Sequence, residues 1–112
     1  MFTNKAQCDV LRTVSYTGIS GTFAAVGGPQ LYQARIICFT NTSDVDVIFS
    51  MDGVTNNLIV PAGGFKLFDI TTNHRPVNQD DFCFGIGTQW YVSTGGMPSK
   101  GSVYIEIIYA QP

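Results

Sequence analysis

Apolar and polar residues alternate with a period of two along much of the chain. In Ala34 to Gly53, ARIICFTNTSDVDVIFSMDG, Arg35, Ile37 and Phe39 alternate with Ile36, Cys38 and Thr40. Beyond a polar stretch, Val45, Val47 and Phe49 alternate with Asp46, Ile48 and Ser50. A period of two carried by β-branched and aromatic residues predicts half-buried strands. Asn41 to Asp44 supplies turn chemistry, because Asn, Thr, Ser and Asp side chains hydrogen-bond their own nearby backbone. The pattern predicts a central hairpin, with the rest of the chain covering its apolar face.

The flanking segments carry the same signal in shorter pieces. Residues 1–9 are polar and irregular, with Phe2 as the one apolar anchor, and are expected to form an extended arm. Val10 to Thr17 reads as a first strand and Thr22 to Val26 as a short second one. Gly27-Gly28-Pro29 marks a turn before a long strand from Leu31 to Asn41. Asn57 to Val60, then Pro61-Ala62-Gly63-Gly64, then Phe65 to Ile70 reads as strand, reversal, strand. Thr71 to Asp81 is the longest loop. Phe82 to Gly85 and Gln89 to Ser93 are expected to pair, and Thr94 to Gly101 reads as a flexible connection. No window shows helical spacing without a Gly or Pro break. About eight short strands with turns every eight to twelve residues predict one all-β domain over residues 1–112, an antiparallel sandwich of jelly-roll type.

The closing strand, Ser102 to Ala110, is apolar on both faces. Val103, Ile105, Ile107 and Tyr109 make one; Tyr104, Glu106, Ile108 and Ala110 make the other. A sandwich strand with one solvated side carries more polar residues there. The second face is therefore expected to be covered, by a loop of this chain or by a neighbouring subunit.

Charge sharpens that expectation. Charged residues are 12% of the chain, about half the usual share, against an ordinary 45% hydrophobic. Depletion of charge marks interface cores, so the chain is expected to associate with copies of itself, as a trimer for example. Lys5, Arg12, Arg35, Lys66, Arg75 and Lys100 are scattered singly in a chain of net charge −2, which argues against nucleic-acid and anionic-membrane partners. There is no apolar run of membrane-spanning length and no secretory h-region near the start, so synthesis in a cytoplasm without a cleavable signal is expected. Cys8, Cys38 and Cys83 are an odd count without a CxxC pair and read as reduced thiols, Cys38 and Cys83 as core filler.

Candidate chemistry is sparse. His74 is the only histidine, so no serine or cysteine nucleophile has a histidine base, and no cysteine spacing matches a zinc site. No phosphate-binding loop precedes a helix. The expectation is a non-enzyme with no catalytic residues, cofactor or metal. Asp44, Asp46, Asp52, Asn56 and Asn57 offer oxygen ligands for a hard cation but fit ordinary turn chemistry better. Tyr32, Trp90 and Tyr91 offer an aromatic platform for a sugar, although alternation directs one ring of Trp90-Tyr91 inward, and a core role fits better.

The run RIICFTNTSDVDVIFSMDGVTNNLIVPAGGFKLFDITTN, followed by GTQWYVSTGGMPSKGSVYIEIIYAQ, resembles small virion structural proteins of tailed bacteriophages. The likeness rests on a strand ending in Thr-Asn, an Asp-Val-Asp turn, Ser-x-Asp-Gly-Val, Pro-Ala-Gly-Gly-Phe and a closing Gly-Ser-Val-Tyr strand, and spans residues 31–111. It implies a non-enzymatic β-sandwich on the capsid surface, a cement or decoration protein bound to the major capsid protein or another virion protein. A tail, neck or baseplate component is the alternative within that class, and a carbohydrate-binding module for host recognition the alternative outside it. Residues expected to contact a partner are Phe2 and Lys5 in the arm, His74 and Arg75 in the long loop, and Tyr104 and Ile108 on the closing strand.

Overall fold

A computed structural model describes residues 5–70 and 84–111. Among the described residues, nine strands form in chain order: β1 Lys5–Cys8, β2 Arg12–Ser15, β3 Ala24–Ala25, β4 Ile36–Asn41, β5 Val47–Ser50, β6 Leu58–Val60, β7 Phe65–Asp69, β8 Tyr91–Ser93 and β9 Ser102–Gln111. They build two antiparallel sheets. The first runs β1-β9-β4-β7, with β2 also paired to β9, and the second runs β3-β8-β5-β6. Strands β1 and β2 share one edge of β9: Lys5–Cys8 lies against Ile108–Gln111 and Arg12–Ser15 against Ser102–Ile105.

The pairings nest. β5 pairs with β6, β4 with β7, β3 with β8, and β1 and β2 with β9. The chain is thus one long hairpin with β5–β6 at its tip, rolled so that successive pairs fall in alternate sheets. This is the jelly roll, and eight strand positions fill it. Alternation along each strand puts the core between the sheets: Ile37 and Phe39 on β4, Val47 and Phe49 on β5, Val103, Ile105 and Ile107 on β9, with Trp90 and Val92. Phe39 sits at its centre, its ring 5.0 Å from Phe49 and 4.8 Å from Trp90. Such aromatic pairs add about 0.5–1.5 kcal/mol each beyond their buried area.

The predicted central hairpin is not a hairpin. β4 belongs to the first sheet and β5 to the second, so their apolar faces meet across the core rather than side by side. Asn41 enforces the crossing. It is fully buried, and its side-chain amide donates to the carbonyls of Val45 (2.8 Å), Val60 (3.1 Å) and Pro61 (3.2 Å). Its side-chain oxygen accepts from the Ser43 N–H (2.9 Å) and hydroxyl (2.6 Å). One side chain therefore ties the β4–β5 crossing to the β6–β7 crossing at Pro61. Gly101 closes the same end beside Thr42: at φ +86°, a Cβ there would collide with the Thr42 carbonyl oxygen, so only glycine fits.

Other boundaries also shift. Lys5–Cys8, expected in an irregular arm, pairs with the far half of β9, because a strand ten residues long offers backbone partners that need no apolar pattern. The strand expected over Thr22 to Val26 shrinks to Ala24–Ala25, and the one expected from Leu31 starts at Ile36. Of the pair expected about Ile86, Phe82 and Cys83 lie outside the described residues; among those described, Phe84 bridges Ala34, while β8 pairs with β3 and β5. The Thr94–Gly101 segment is pinned rather than free, since the Ser99 N–H donates to Asp44 (2.9 Å) and the Thr94 hydroxyl to the Asp46 carbonyl (2.6 Å).

Candidate interaction surface

The sheet order sets which side chains share the outward face of the first sheet. Register aligns Leu67 with Cys38 and Cys38 with Glu106, giving one row across β7, β4 and β9. A second row is Phe65, Thr40, Tyr104 and Thr13; a third is Asp69, Ile36, Ile108 and Cys8. Leu67 is 56% and Phe65 66% exposed, Leu11 is exposed at the far edge, and Ile36, Cys38, Tyr104 and Ile108 are half-buried. The expected two-faced character of β9 is thus shared by β4 and β7. No described residue covers the face.

A groove of about 420 Å³ crosses it, bounded by Cys8, Asp9, Leu11, Ile36, Cys38, Leu67, Glu106, Ile107 and Ile108. It opens where β1 ends and β2 has not begun. Arg12 causes that break. Its position in the alternation turns it inward with Val14, and at 3% exposure it is a buried cation. The guanidinium donates to the carbonyls of Gly28 (3.0 Å), Val10 (3.0 Å) and Pro29 (3.1 Å) and lies 3.3 Å from the Asp9 carboxylate. The Asp9 side chain also accepts from the Val10 N–H at 2.7 Å. Bonding inward, Arg12 holds the Val10 carbonyl and the Asp9 carboxylate; the Asp9 N–H stays on the Ile107 carbonyl of β9 (3.0 Å), and Leu11 is left exposed. Buried charges persist only when paired and hydrogen-bonded in this way.

Of the residues expected at a partner contact, Tyr104 and Ile108 lie on this face. Lys5 is exposed opposite Gln111, on the alternate set of β1 positions from Ala6 and Cys8, and does not join them. Phe2, His74 and Arg75 lie outside the described residues, as does Cys83. Cys38 is not core filler: it stands on the outward face, its thiol 3.6 Å from the Thr40 hydroxyl. Sequence reasoning misses Leu67, Phe65 and Leu11 as contacts. Alternation marks one side of β7, Phe65 and Leu67, as apolar, but only the pairing order sets it beside Ile108.

The other two constellations dissolve. Trp90 is 1% exposed, and its indole N–H donates to Gln30 Oε1 at 2.9 Å. Tyr32 stacks on Tyr109 at 3.8 Å, and Tyr91 projects from the second sheet beside Gly53, so the three rings form no sugar platform. Four of the five oxygen ligands are committed to hydrogen bonds, within their own turn or to another turn. Asp52 accepts from the N–H groups of Thr55 (2.7 Å) and Val54 (2.8 Å) and from the Ser50 and Thr55 hydroxyls, which hold its carboxyl far below the usual range. Asp44 is lowered by the Ser99 hydroxyl and N–H, Asp46 accepts from the Ala62 N–H, and Asn57 from the Met51 N–H. Among the described residues, no three His, Cys, Asp or Glu side chains converge as metal ligands.

Comparison with protein-family models, with curated proteins and with solved structures finds no match.

Proposed function

We propose that this chain is a docking module of a virion: a cement or decoration protein that binds where capsid subunits meet, using the outward face of its first sheet. The observation that carries the reading is the largely apolar surface across β7, β4 and β9, with Phe65 and Leu67 more than half exposed. The jelly roll supports it only weakly, since that architecture serves capsid, lectin and enzyme domains alike. In this reading the chain works by binding alone. A site shared between neighbouring subunits turns modest binding energy into linkage against their separation. Its charge-poor surface also fits association with copies of itself through other surfaces.

Four strand positions about 4.8 Å apart, over roughly seven residues of about 3.4 Å each, present about 460 Å². Covering it with a matching surface removes about 900 Å² in total, the size of a small, weak interface just under the roughly 1,000 Å² of a stable specific one. The test is quantitative mass spectrometry of purified particles from cells producing the chain. Copies in the hundreds per particle support a head cement role, and about a dozen a tail part. Absence from particles overturns the proposal.

A further inference from the structure

We propose, building on that docking role, that the surface seated on this face belongs to a different protein and places a Lys or Arg side chain, flanked by apolar residues, beside Glu106. Glu106 stands in the middle row of the face, next to Cys38, with Leu67 beyond and the groove alongside. It accepts no hydrogen bond and makes no ion pair among the described residues. In the free chain its carboxylate is exposed to water. Any partner that covers the surrounding apolar residues removes that water, and an ionised carboxylate buried without a partner is strongly unfavourable.

A second copy docked by the same face does not meet that need. The outward positions of the five strands include Ala6, Cys8, Thr13, Ile36, Cys38, Thr40, Phe65, Leu67, Asp69, Tyr104 and Ile108, and none is basic. Arg12, next in sequence to Leu11, is turned inward and held by Asp9 and three carbonyls, and Arg35, next to Ile36, already has a partner. Two identical faces would therefore set Glu106 against apolar side chains or against another Glu106. A long basic side chain suits the groove on both counts: its methylene stem lies along Leu67, Ile36 and Ile108 while its head reaches the carboxylate. The volume of about 420 Å³ is that of a small-ligand pocket.

The test titrates three probes into the ¹⁵N-labelled chain at pH 7: hexylguanidinium, hexanol and hexyl sulfate. Hexylguanidinium is expected to shift the amides of Ile36, Cys38, Glu106 and Ile108 and to bind at least fivefold tighter than hexanol, with hexyl sulfate weakest. Glu106→Gln is expected to erase that preference with the fold intact, and Leu67→Ala to weaken hexylguanidinium and hexanol together. The inference is overturned if hexanol binds as tightly as hexylguanidinium, or if the shifts map elsewhere. It is equally overturned if those amides shift with protein concentration alone, which would make the occupant a second copy. No particle enters this experiment, so its failure is distinct from absence of the chain from virions.

Discussion

The two outward faces of the sandwich start from similar sequence and end differently. On the second sheet, Ile48 and Ser50 of β5, Ile59 of β6, and Tyr91 and Ser93 of β8 point outward. The turn between β5 and β6 folds back over part of this face. Ser50, with no exposure at all, donates to Asp52 (2.8 Å) and accepts from the N–H groups of Asp52 (3.2 Å) and Gly53 (3.0 Å). Gly53, at φ +76°, lies flat against the Tyr91 ring. The turn thus covers Ser50 and packs on Tyr91, while Ile48 stays half-buried and Ile59 exposed on the rest of the face. The first sheet, built of longer strands and as apolar, receives no such cover from the described residues. Low charge is common to both, and coverage is what separates a finished surface from one awaiting a partner.

Separating the two sheets would abolish the comparison, and Asn41→Ala comes nearest to doing so. It strips donors from three carbonyls at the crossing between sheets, and each buried group left unsatisfied costs about 1–3 kcal/mol. A loss of at least about 3 kcal/mol is expected, read as a lower urea midpoint with little change in slope. An unchanged midpoint would mean that the crossing is held elsewhere.

That crossing is not legible in the alternation. A strand, a polar turn and a second strand give the same period whether the strands pair in one sheet or face each other across a core. What distinguishes them is the destination of Asn41's hydrogen bonds, which include carbonyls 19 and 20 residues away. β4, β5, β7 and β9 are legible because apolar residues repeat at every second position, and β6 as a short apolar run before the Pro61–Gly64 reversal. β1 is not, because an edge strand such as Lys5–Cys8 is specified by backbone pairing. The candidate site is half legible: Tyr104 and Ile108 stand out on β9, whereas Phe65, Leu67 and Leu11 join them only through sheet order. The inward turn of Arg12 is hidden too, since a charge in an alternating pattern is ordinarily the solvated position.

Next in size is the contrast in binding. Leu67→Asp places a charge on the open face, where it is solvated in the free chain, so stability should change by no more than about 0.5 kcal/mol. Binding to particles lacking the chain should fall at least tenfold. Ile59→Asp on the second sheet, equally exposed in kind, should leave binding within twofold. Equal losses from the two variants would erase the distinction between the faces.

A smaller effect sharpens the account of the covered face. Asp52 has a folded pKa held below its unfolded value of about 3.9. The stabilisation is therefore complete above that unfolded value and is lost as pH falls toward the folded one. Asp44 acts in the same direction through Ser99. The fall in melting temperature between pH 5 and pH 2 should be shallower in Asp52→Asn than in the parent chain, because the variant has no carboxylate to protonate there. Parallel pH profiles would show that the turn over Tyr91 does not depend on this charge.

The central claim, that the outward face of the first sheet is the docking surface, is tested most directly by the two thiols it carries. Cys8 and Cys38 border the groove from opposite sides, and both are free. Their alkylation rates by iodoacetamide, resolved by peptide mapping, can be compared for the free chain and the particle-bound chain. A thiol introduced on the second sheet by Ile59→Cys serves as the internal reference. The account predicts that binding slows Cys8 and Cys38 at least tenfold and leaves the introduced thiol within twofold. Unchanged rates at Cys8 and Cys38, with protection of the introduced thiol, would contradict it.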